Sequence, residues 1–247
     1  MSLIDFTSLK GRNCFITGAA SGIGKESALA LSSAGVRVTC VDITPPDATV
    51  AEICEGGGTA IGTAADISDD LSVEAAVAAH TDAYGSLDAL VNCAGIGDFT
   101  TLDETDLAHW NRQISINLTG PFLLVKHAVP IMREQKTGSI ILFGSIAGKT
   151  GGLKNGPAYA AAKAGVHGLV KWTAKSIAGS GVRVNGIAPG PVDTPFTQGQ
   201  GFDPSSVPLG RMGLPSDFAS AVAYLASDAS SWVTGQVLNV NGGLFME

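Results

Sequence analysis

Short apolar segments alternate with longer stretches of helical periodicity along the whole chain. The helical stretches repeat apolar side chains every three to four positions, whereas the apolar segments are short and bounded by turn residues. Strands are predicted at residues 13–17, 36–41, 59–65, 87–91, 139–143, 182–187 and 235–240. Helices are predicted at residues 22–34, 48–55, 69–84, 103–135, 157–179 and 216–227, the fourth disturbed near Gly120 and Pro121. This alternation predicts an α/β fold with a doubly wound parallel sheet of about seven strands and helices on both faces.

These elements leave no internal repeat and no linker, so one domain is expected to span residues 1–247. A segment rich in Gly, Pro, Ser and Gln, residues 194–211, follows the sixth predicted strand. Ligands bind at the carboxyl ends of parallel strands, and a segment of this composition can close over them. We therefore predict a substrate lid at about residues 194–211.

The first predicted strand runs into a glycine-rich turn that opens a helix. In this context glycines let the backbone approach a pyrophosphate, and the free N–H groups of the new helix attract its charge. The alternative is a glycine turn that binds no ligand. The pattern favours a Rossmann-type dinucleotide site whose contacts include Gly18, Ser21, Gly22, Ile23 and Gly24.

An acidic residue ends the second predicted strand. Asp42 lies 18 residues beyond Gly24, close to the separation at which a carboxylate binds a ribose 2′-hydroxyl. Such a carboxylate accepts hydrogen bonds from NAD and repels the 2′-phosphate of NADP, and Ile43 beside it adds no positive charge. The alternative is a turn or N-cap aspartate. We predict NAD as the cofactor in preference to NADP.

Polar residues also end the third and fourth predicted strands. Asp66 and Asn92 are placed where short side chains reach either a bound adenine or a neighbouring loop. The sequence alone leaves ligand contact and loop bracing open for both.

A tyrosine and a lysine lie four positions apart near the start of the helix predicted at 157–179. Residues at this spacing share a helix face, so the Tyr159 hydroxyl and the Lys163 ammonium point the same way. A nearby cation favours the phenolate and lowers the pKa of the tyrosine, which then exchanges a proton with an alcohol or carbonyl. Taken alone, the pair is better explained as two residues on a solvated helix face, and only the other marks of the sequence favour the catalytic interpretation. Ser145, at the end of the fifth predicted strand, adds a hydroxyl nearby.

Composition narrows the class of partner. The chain is 45% hydrophobic and carries a net charge of −7, and no Lys/Arg cluster is available to neutralise phosphates, so no nucleic-acid partner is expected. The cysteines have no metal-type spacing and are predicted to be free, buried thiols in a reducing compartment, and no metal site is expected. No apolar signal segment and no uninterrupted apolar run of membrane-spanning length is found, so no membrane association and a cytoplasmic location are expected.

Taken in order, these marks resemble the short-chain dehydrogenase/reductase family, in its single-domain branch of about 250 residues. The resemblance covers essentially the whole chain. It rests on the glycine turn, Asp66, Asn92-Cys93-Ala94-Gly95, Asn117, Ser145, Tyr159, Lys163, and Pro189-Gly190 with Thr194. The resemblance extends the expected cofactor contacts to Ile67, Ala94, Gly95, Pro189, Gly190, Val192 and Thr194, together with Tyr159 and Lys163.

The resemblance further implies a catalytic tetrad of Asn117, Ser145, Tyr159 and Lys163. Tyr159 is expected to be the acid/base, and Ser145 to hydrogen-bond the substrate oxygen. Lys163 is expected to bind the nicotinamide ribose and to lower the pKa of Tyr159, and Asn117 to hold a water that relays protons.

The implied reaction is the NAD-dependent interconversion of a secondary alcohol and a ketone by hydride transfer. Two alternatives stay open: an NADPH-dependent 3-ketoacyl-thioester (acyl-carrier) reductase, and a catalytically idle nucleotide-binding regulator. Apolar residues in and near the lid favour an apolar or cyclic small molecule as substrate, namely Phe99, Phe196, Phe202, Val207 and Leu209. Family habit and the apolar composition favour a homotetramer.

Overall fold

A computed structural model describes residues 6–152 and 154–247. Seven parallel strands form one sheet in the order β3-β2-β1-β4-β5-β6-β7. The strands are β1 Asn13–Thr17, β2 Arg37–Asp42, β3 Thr59–Ala64, β4 Ala89–Asn92, β5 Gly138–Phe143, β6 Val182–Pro189 and β7 Val237–Val240. The order reverses between β1 and β4, which creates the crevice at the carboxyl edge where doubly wound sheets bind ligands. The predicted fold class is thereby confirmed.

Helices cover both faces of the sheet. They are α1 Gly22–Ser33, α2 Asp47–Glu55, α3 Asp70–Tyr84, α4 Leu107–Ile114, α5 Gly120–Gln135, α6 Ala147–Thr150, α7 Pro157–Ser176 and α8 Pro215–Ala226. Side chains of α3, α5 and α7 pack into one apolar cluster, and those of α1, α2 and α8 into another. Successive strand residues such as Phe15 and Ile16 point to opposite clusters, as the pleat requires.

The long helix predicted at 103–135 begins at Leu107, and the disturbance expected near Gly120 and Pro121 is a local widening of the helix. A π-helical turn, Ser115–Thr119, joins α4 to α5, and the Gly120 N–H donates to the Ser115 carbonyl. Pro121 has no N–H to offer the carbonyl four residues before it, which is the carbonyl of Asn117. The ladder therefore changes register at this point, which lets Asn117 stand inside a continuous helical segment.

The joined segment Leu107–Gln135 is long and apolar enough to cross a membrane by length and composition alone, although polar and charged residues interrupt its apolar positions. Core helices pass the same test. Leu124, Ala128 and Met132 of this segment are buried in the cluster around α3 and α7, so we interpret it as a core helix.

The expectation for the cysteines is only partly met. Cys14 and Cys40 lie in strands and are buried, and burial raises the pKa of Cys40 to about 12. Cys54 is exposed near the end of α2, and Cys93 is only partly buried at the cavity wall. All four are free thiols. A position in a strand predicts the burial of a cysteine well, whereas Cys54 lies on the exposed side of a helix.

A buried histidine makes the fold sensitive to acid. His80 has no exposed surface; its Nδ1 lies 2.7 Å from the Thr39 hydroxyl, and its ring contacts Phe15 and Tyr84 edge-on. Burial, the largest cause, lowers the pKa of His80 to about 4. The unfolded chain, with a histidine pKa of about 6.5, therefore binds more protons between these values, and stability falls as pH drops through that window.

We expect His80 to remove about 3 kcal/mol from the free energy of unfolding between pH 7 and pH 4. Urea unfolding at several pH values, with His80→Gln beside the unmodified chain, measures this term. The substitution costs stability at pH 7 but should flatten the acid slope. His167, whose pKa burial also lowers to about 4, contributes in the same direction in both proteins and cancels from the difference. Equal slopes for the two proteins would refute the assignment.

Candidate active site

A cavity of about 610 Å³ opens at the carboxyl edge of the sheet, where the strand order reverses. Its volume is typical of a ligand site. Every residue proposed for cofactor contact lies on its wall except Asn92. Those on the wall are Gly18, Ser21, Gly22, Ile23, Gly24, Asp42, Asp66, Ile67, Ala94, Gly95, Tyr159, Lys163, Pro189, Gly190, Val192 and Thr194.

The glycine turn fits a pyrophosphate. Gly22 adopts a positive φ of 55° at the start of α1, and a Cβ there would lie 3.4 Å from Thr194 Cγ2, a neighbouring residue of the cavity wall. Ser21 precedes the helix without a side-chain capping bond, so the first N–H groups of α1 remain available to an anion. The glycine turn therefore leaves free N–H groups to bind the diphosphate of a dinucleotide.

Asp42 is anchored by backbone amides and still has acceptor capacity. Its Oδ2 accepts from the Ala20 N–H at 3.0 Å and its Oδ1 from the Ile43 N–H at 2.8 Å. Each carboxylate oxygen can accept a further hydrogen bond. Asp42 lies at the end of β2 on the cavity wall, the position expected for a ribose-binding carboxylate.

The two other strand-end residues brace the structure. Asn92 is buried away from the cavity, and its Oδ1 accepts a 2.6 Å hydrogen bond from Thr17, which ties β4 to β1. Asp66 lies on the cavity wall, where its Oδ1 accepts from the Ser68 N–H and hydroxyl. The structure thus favours bracing for Asn92 over the expected cofactor contact, and leaves Asp66 able to do both.

Tyr159, Lys163 and Ser145 meet on the cavity wall. The first turn of α7 brings Tyr159 there, and Ser145, two residues after β5, shares a hydrogen bond with its hydroxyl. Lys163 Nζ lies 5.6 Å from the centre of the Tyr159 ring and donates to the Phe143 carbonyl at 3.0 Å. Ser145 Oγ also accepts from the Ala147 N–H at 3.1 Å, which fixes its orientation. One cation, one phenol and one hydroxyl therefore converge.

The electrostatics differ from the expectation that Lys163 lowers the pKa of Tyr159. Burial raises the pKa of Tyr159 to about 12, opposed by the hydrogen bond from Ser145. Burial also lowers the pKa of Lys163 to about 8, so its ammonium loses a proton more easily than that of an exposed lysine. The Lys163 ammonium is directed at the Phe143 carbonyl, and desolvation of the phenolate dominates. At neutral pH the site therefore holds a protonated phenol.

Asn117 does not line the cavity. Its side chain instead binds the loop after β4, whose residues Gly95 and Ile96 do line it. Its Oδ1 accepts from the Ile96 N–H at 3.1 Å and its Nδ2 donates to the Ile96 carbonyl at 3.0 Å. A Cβ on Gly95 would lie 2.7 Å from Asn117 Oδ1 and 3.5 Å from Lys163 Nζ, so this glycine separates the two side chains. Asn117 therefore lies next to the reacting groups, where it fixes the position of this loop.

The lid contributes an aromatic wall beside Tyr159. The ring centre of Phe196 lies 6.1 Å from that of Tyr159, and Phe99 packs edge-on against both Phe196 and Phe202. Phe196 and Phe202 line the cavity. Lys154 donates to the Gly201 carbonyl at 2.7 Å, which ties the lid to the loop before α7.

Two of the lid residues expected to face the substrate do not line the main cavity. Val207 and Leu209 instead line a second, smaller cavity at the end of the lid. Val207 is buried there, and Leu209 is largely exposed.

Several residues of the site were not predicted. Gln113 and Asp98 are buried beside Asn117 and the loop after β4, and Arg112 and Asn155 lie on the cavity wall. Gln113 carried a usable signal, because it lies four positions before Asn117 on the same helical face. Asp98 carried none, since its burial depends on a loop conformation.

Comparison with known proteins identifies the family. A family model described as Enoyl-(Acyl carrier protein) reductase matches residues 18–245. A 3-oxoacyl-[acyl-carrier-protein] reductase of Synechocystis sp. is 40% identical over 97% of this chain and 99% of its own length. The cis-4-hydroxycyclohexanecarboxylate dehydrogenase of Sinomonas cyclohexanicum is 41% identical, over 94% and 96%. The crystal structure of a short-chain type dehydrogenase/reductase from Mycobacterium marinum superposes with a TM-score of 0.95 at 31% identity, over 100% of both chains.

The chain belongs to the short-chain dehydrogenase/reductase family. It is therefore an oxidoreductase, and members of this family use a nicotinamide dinucleotide. The resemblance predicted from the sequence is confirmed.

Proposed function

We propose that this short-chain dehydrogenase/reductase interconverts a secondary alcohol and a ketone with NAD, in one domain formed by the whole chain. The observation that carries the proposal is the meeting of Tyr159, Ser145 and Lys163 on the wall of a cavity whose other end carries Asp42. Asp42 supports NAD because its carboxylate suits a ribose diol and repels a 2′-phosphate.

Each residue has a distinct part in the proposed chemistry. The bound cofactor would supply the hydride as NADH during reduction and accept it as NAD during oxidation. Tyr159 donates its phenolic proton to the carbonyl oxygen during reduction and removes the alcohol proton during oxidation. The Ser145 hydroxyl hydrogen-bonds that oxygen as charge develops on it, and the charge of Lys163 stabilises the phenolate left behind. Asn117 holds the adjoining loop. It is also proposed to hold a water that relays protons between Lys163 and the solvent.

The raised pKa of Tyr159 favours one direction at neutral pH. A protonated phenol is ready to donate to a ketone, whereas oxidation must first remove that proton. Oxidation is therefore proposed to need a higher pH than reduction.

An uncharged or ring-shaped substrate fits the aromatic wall best. Phe196 lies beside Tyr159, and Phe202 continues the wall toward the lid. A flat or cyclic carbon skeleton buries its faces against such rings. The similarity to a dehydrogenase of a hydroxylated cyclohexanecarboxylate supports a cyclic carbon skeleton, although that compound also carries a charged carboxylate.

One second candidate is kept because of a specific finding. The similarity to a 3-oxoacyl-[acyl-carrier-protein] reductase extends over 97% of the chain, so reduction of a 3-ketoacyl thioester with NADPH is the alternative. The acidic Asp42 and the small number of cationic side chains on the cavity wall weigh against it.

We also propose a cytoplasmic homotetramer. Large apolar side chains stand exposed on α5, on α7 and before β7, among them Phe122, Trp172 and the almost fully exposed Trp232. Exposed aromatic residues of this kind are typical of subunit contacts. Sedimentation equilibrium measures the assembly directly, and a monomer would contradict the proposal.

The test follows nicotinamide absorbance with the purified protein. NAD and NADP are offered separately against linear, cyclic, aryl and steroid secondary alcohols, and NADH and NADPH against the matching ketones and a 3-ketoacyl thioester. We expect turnover with the NAD pair and the highest kcat/KM for a cyclic substrate. Turnover of the thioester with NADPH alone would replace the proposal by the alternative. Binding of NADH without any turnover would favour the idle regulator.

A further inference from the structure

Three polar side chains form a stripe along one face of α4 and the π-helical turn that follows it. They are four residues apart, and each contacts a successive residue of the loop after β4, in reverse order. Asn117 bonds Ile96, Gln113 bonds Gly97, and His109 Nε2 lies 3.0 Å from Asp98 Oδ1. We call this arrangement the ladder and residues 96–98 the ladder loop.

Gln113 is the middle rung, and both ends of its amide are used. Its Nε2 donates to the Gly97 carbonyl at 2.9 Å, and its Oε1 accepts from Asn117 Nδ2 at 2.7 Å. The side chain is 1% exposed, so water cannot replace either partner. These two hydrogen bonds belong to one buried network. Together they fix the orientation of the Asn117 amide and the position of the Gly97 peptide.

The ladder loop connects directly to the reacting groups. A Cβ on Gly97 would lie 3.0 Å from Phe99 and 3.3 Å from Phe196, so this peptide forms the floor under the aromatic wall. The Asp98 carbonyl accepts from the Gly156 N–H at 3.0 Å, at the start of the helix that carries Tyr159. A shift of the ladder loop therefore moves the aromatic wall and the start of α7 together.

We propose that Gln113 is a positioning residue: it holds the ladder loop and the Asn117 amide in the arrangement that turnover requires. Gln113 is buried and is not among the residues that line the cavity. The inference rests on the proposed function only for its kinetic readout, and hydrogen exchange tests it without turnover.

The chain offers a matched control. Gln135 also makes two backbone hydrogen bonds with its amide, to the N–H and the carbonyl of Leu87, both at 2.9 Å. Leu87 lies just before β4, at the edge of the sheet opposite the cavity. Gln113→Leu and Gln135→Leu therefore remove the same kind of contact, one inside the ladder and one remote from it.

We expect Gln113→Leu to lower kcat about tenfold with KM for the cofactor within about twofold, because one misplaced peptide is enough to disturb reacting geometry. Gln135→Leu should keep kcat within about twofold despite a comparable loss in Tm. Hydrogen exchange at residues 96–98 should accelerate in Gln113→Leu alone. Equal kcat and equal exchange in the two variants would overturn the proposal.

Gln113→Glu provides a second, more conservative variant. A protonated glutamic acid can still donate to Gly97 and accept from Asn117, whereas the carboxylate faces the Gly97 carbonyl and cannot donate. The charged and titratable groups around it are His109 and Asp98 on the next rung and Lys163 beyond Gly95. We expect kcat near that of the unmodified protein at pH 5.5 and a fall of about tenfold relative to it by pH 8.

The pH profile decides the case even when Gln113→Leu fails to fold. A relative loss that grows with pH, at constant Tm, supports the positioning role because a purely structural contact would not link kcat to this proton. A profile for Gln113→Glu that runs parallel to that of the unmodified protein would overturn it. Absence of turnover in the unmodified protein would count against the proposed function instead, and hydrogen exchange would then decide the role of Gln113.

Discussion

Replacing Tyr159 by Phe should lower kcat at least about a thousandfold while the dissociation constant for NADH changes less than about threefold. The substitution removes only the hydroxyl that shares a hydrogen bond with Ser145 and that is proposed to exchange the proton. General acid–base catalysis contributes about a hundred- to ten-thousandfold, and no other phenol among the described residues lies on the cavity wall to replace it. Steady-state kinetics and a fluorescence titration of NADH measure the two quantities.

Tyr84→Phe is the matched control for this experiment. The Tyr84 hydroxyl donates to the Val38 carbonyl at 3.2 Å, near the amino end of β2 and away from the cavity. Its loss should reduce stability by about 1 kcal/mol and leave kcat unchanged. A Tyr159→Phe variant that keeps a tenth or more of the activity would rule out Tyr159 as the proton donor, whatever the control shows.

The fold was accessible from sequence because its signals are local and periodic. All seven strands were predicted, since buried parallel strands appear as short apolar runs between helices. The predicted end of an element is wrong where tertiary contacts determine where that element begins or stops. Strand β4 begins at Ala89 instead of Leu87, because the side chain of Gln135 takes both backbone groups of Leu87. The short helix α6 lies in a segment whose glycines favoured a loop.

Some members of the candidate site were predictable from the sequence, but its energetics were not. Tyr159 and Lys163 were singled out by their four-residue spacing together with Ser145 and the family resemblance, and the glycine turn by its place between a strand and a helix. The pKa of Tyr159 depends on how deeply α7 buries the phenol and on where the Lys163 ammonium is directed, and neither is encoded locally. Gln113 was missed although its spacing to Asn117 carried a signal, because its other partner, Gly97, is brought to it only by the fold.

Asp42→Asn should lower the preference for NAD over NADP, measured as the ratio of kcat/KM values, by about a hundredfold. That change corresponds to about 2.7 kcal/mol. The amide keeps the shape and can still accept from the Ala20 N–H, so the turn after β1 should stay in place. What is lost is the charge, which strengthens hydrogen bonds from a ribose diol and repels a phosphate at the same position.

Asp66→Asn separates this local effect from the general charge of the cavity. Asp66 is another carboxylate on the same wall, but its Oδ1 is bonded to the Ser68 N–H and hydroxyl in its own turn. Its replacement removes one negative charge as well, and it should leave the preference within about threefold even where KM rises for both cofactors. If both variants lose the preference equally, the discrimination comes from the summed potential of the cavity. If Asp42→Asn keeps it, the 2′-phosphate is excluded by shape, and Ile43 becomes the residue to change.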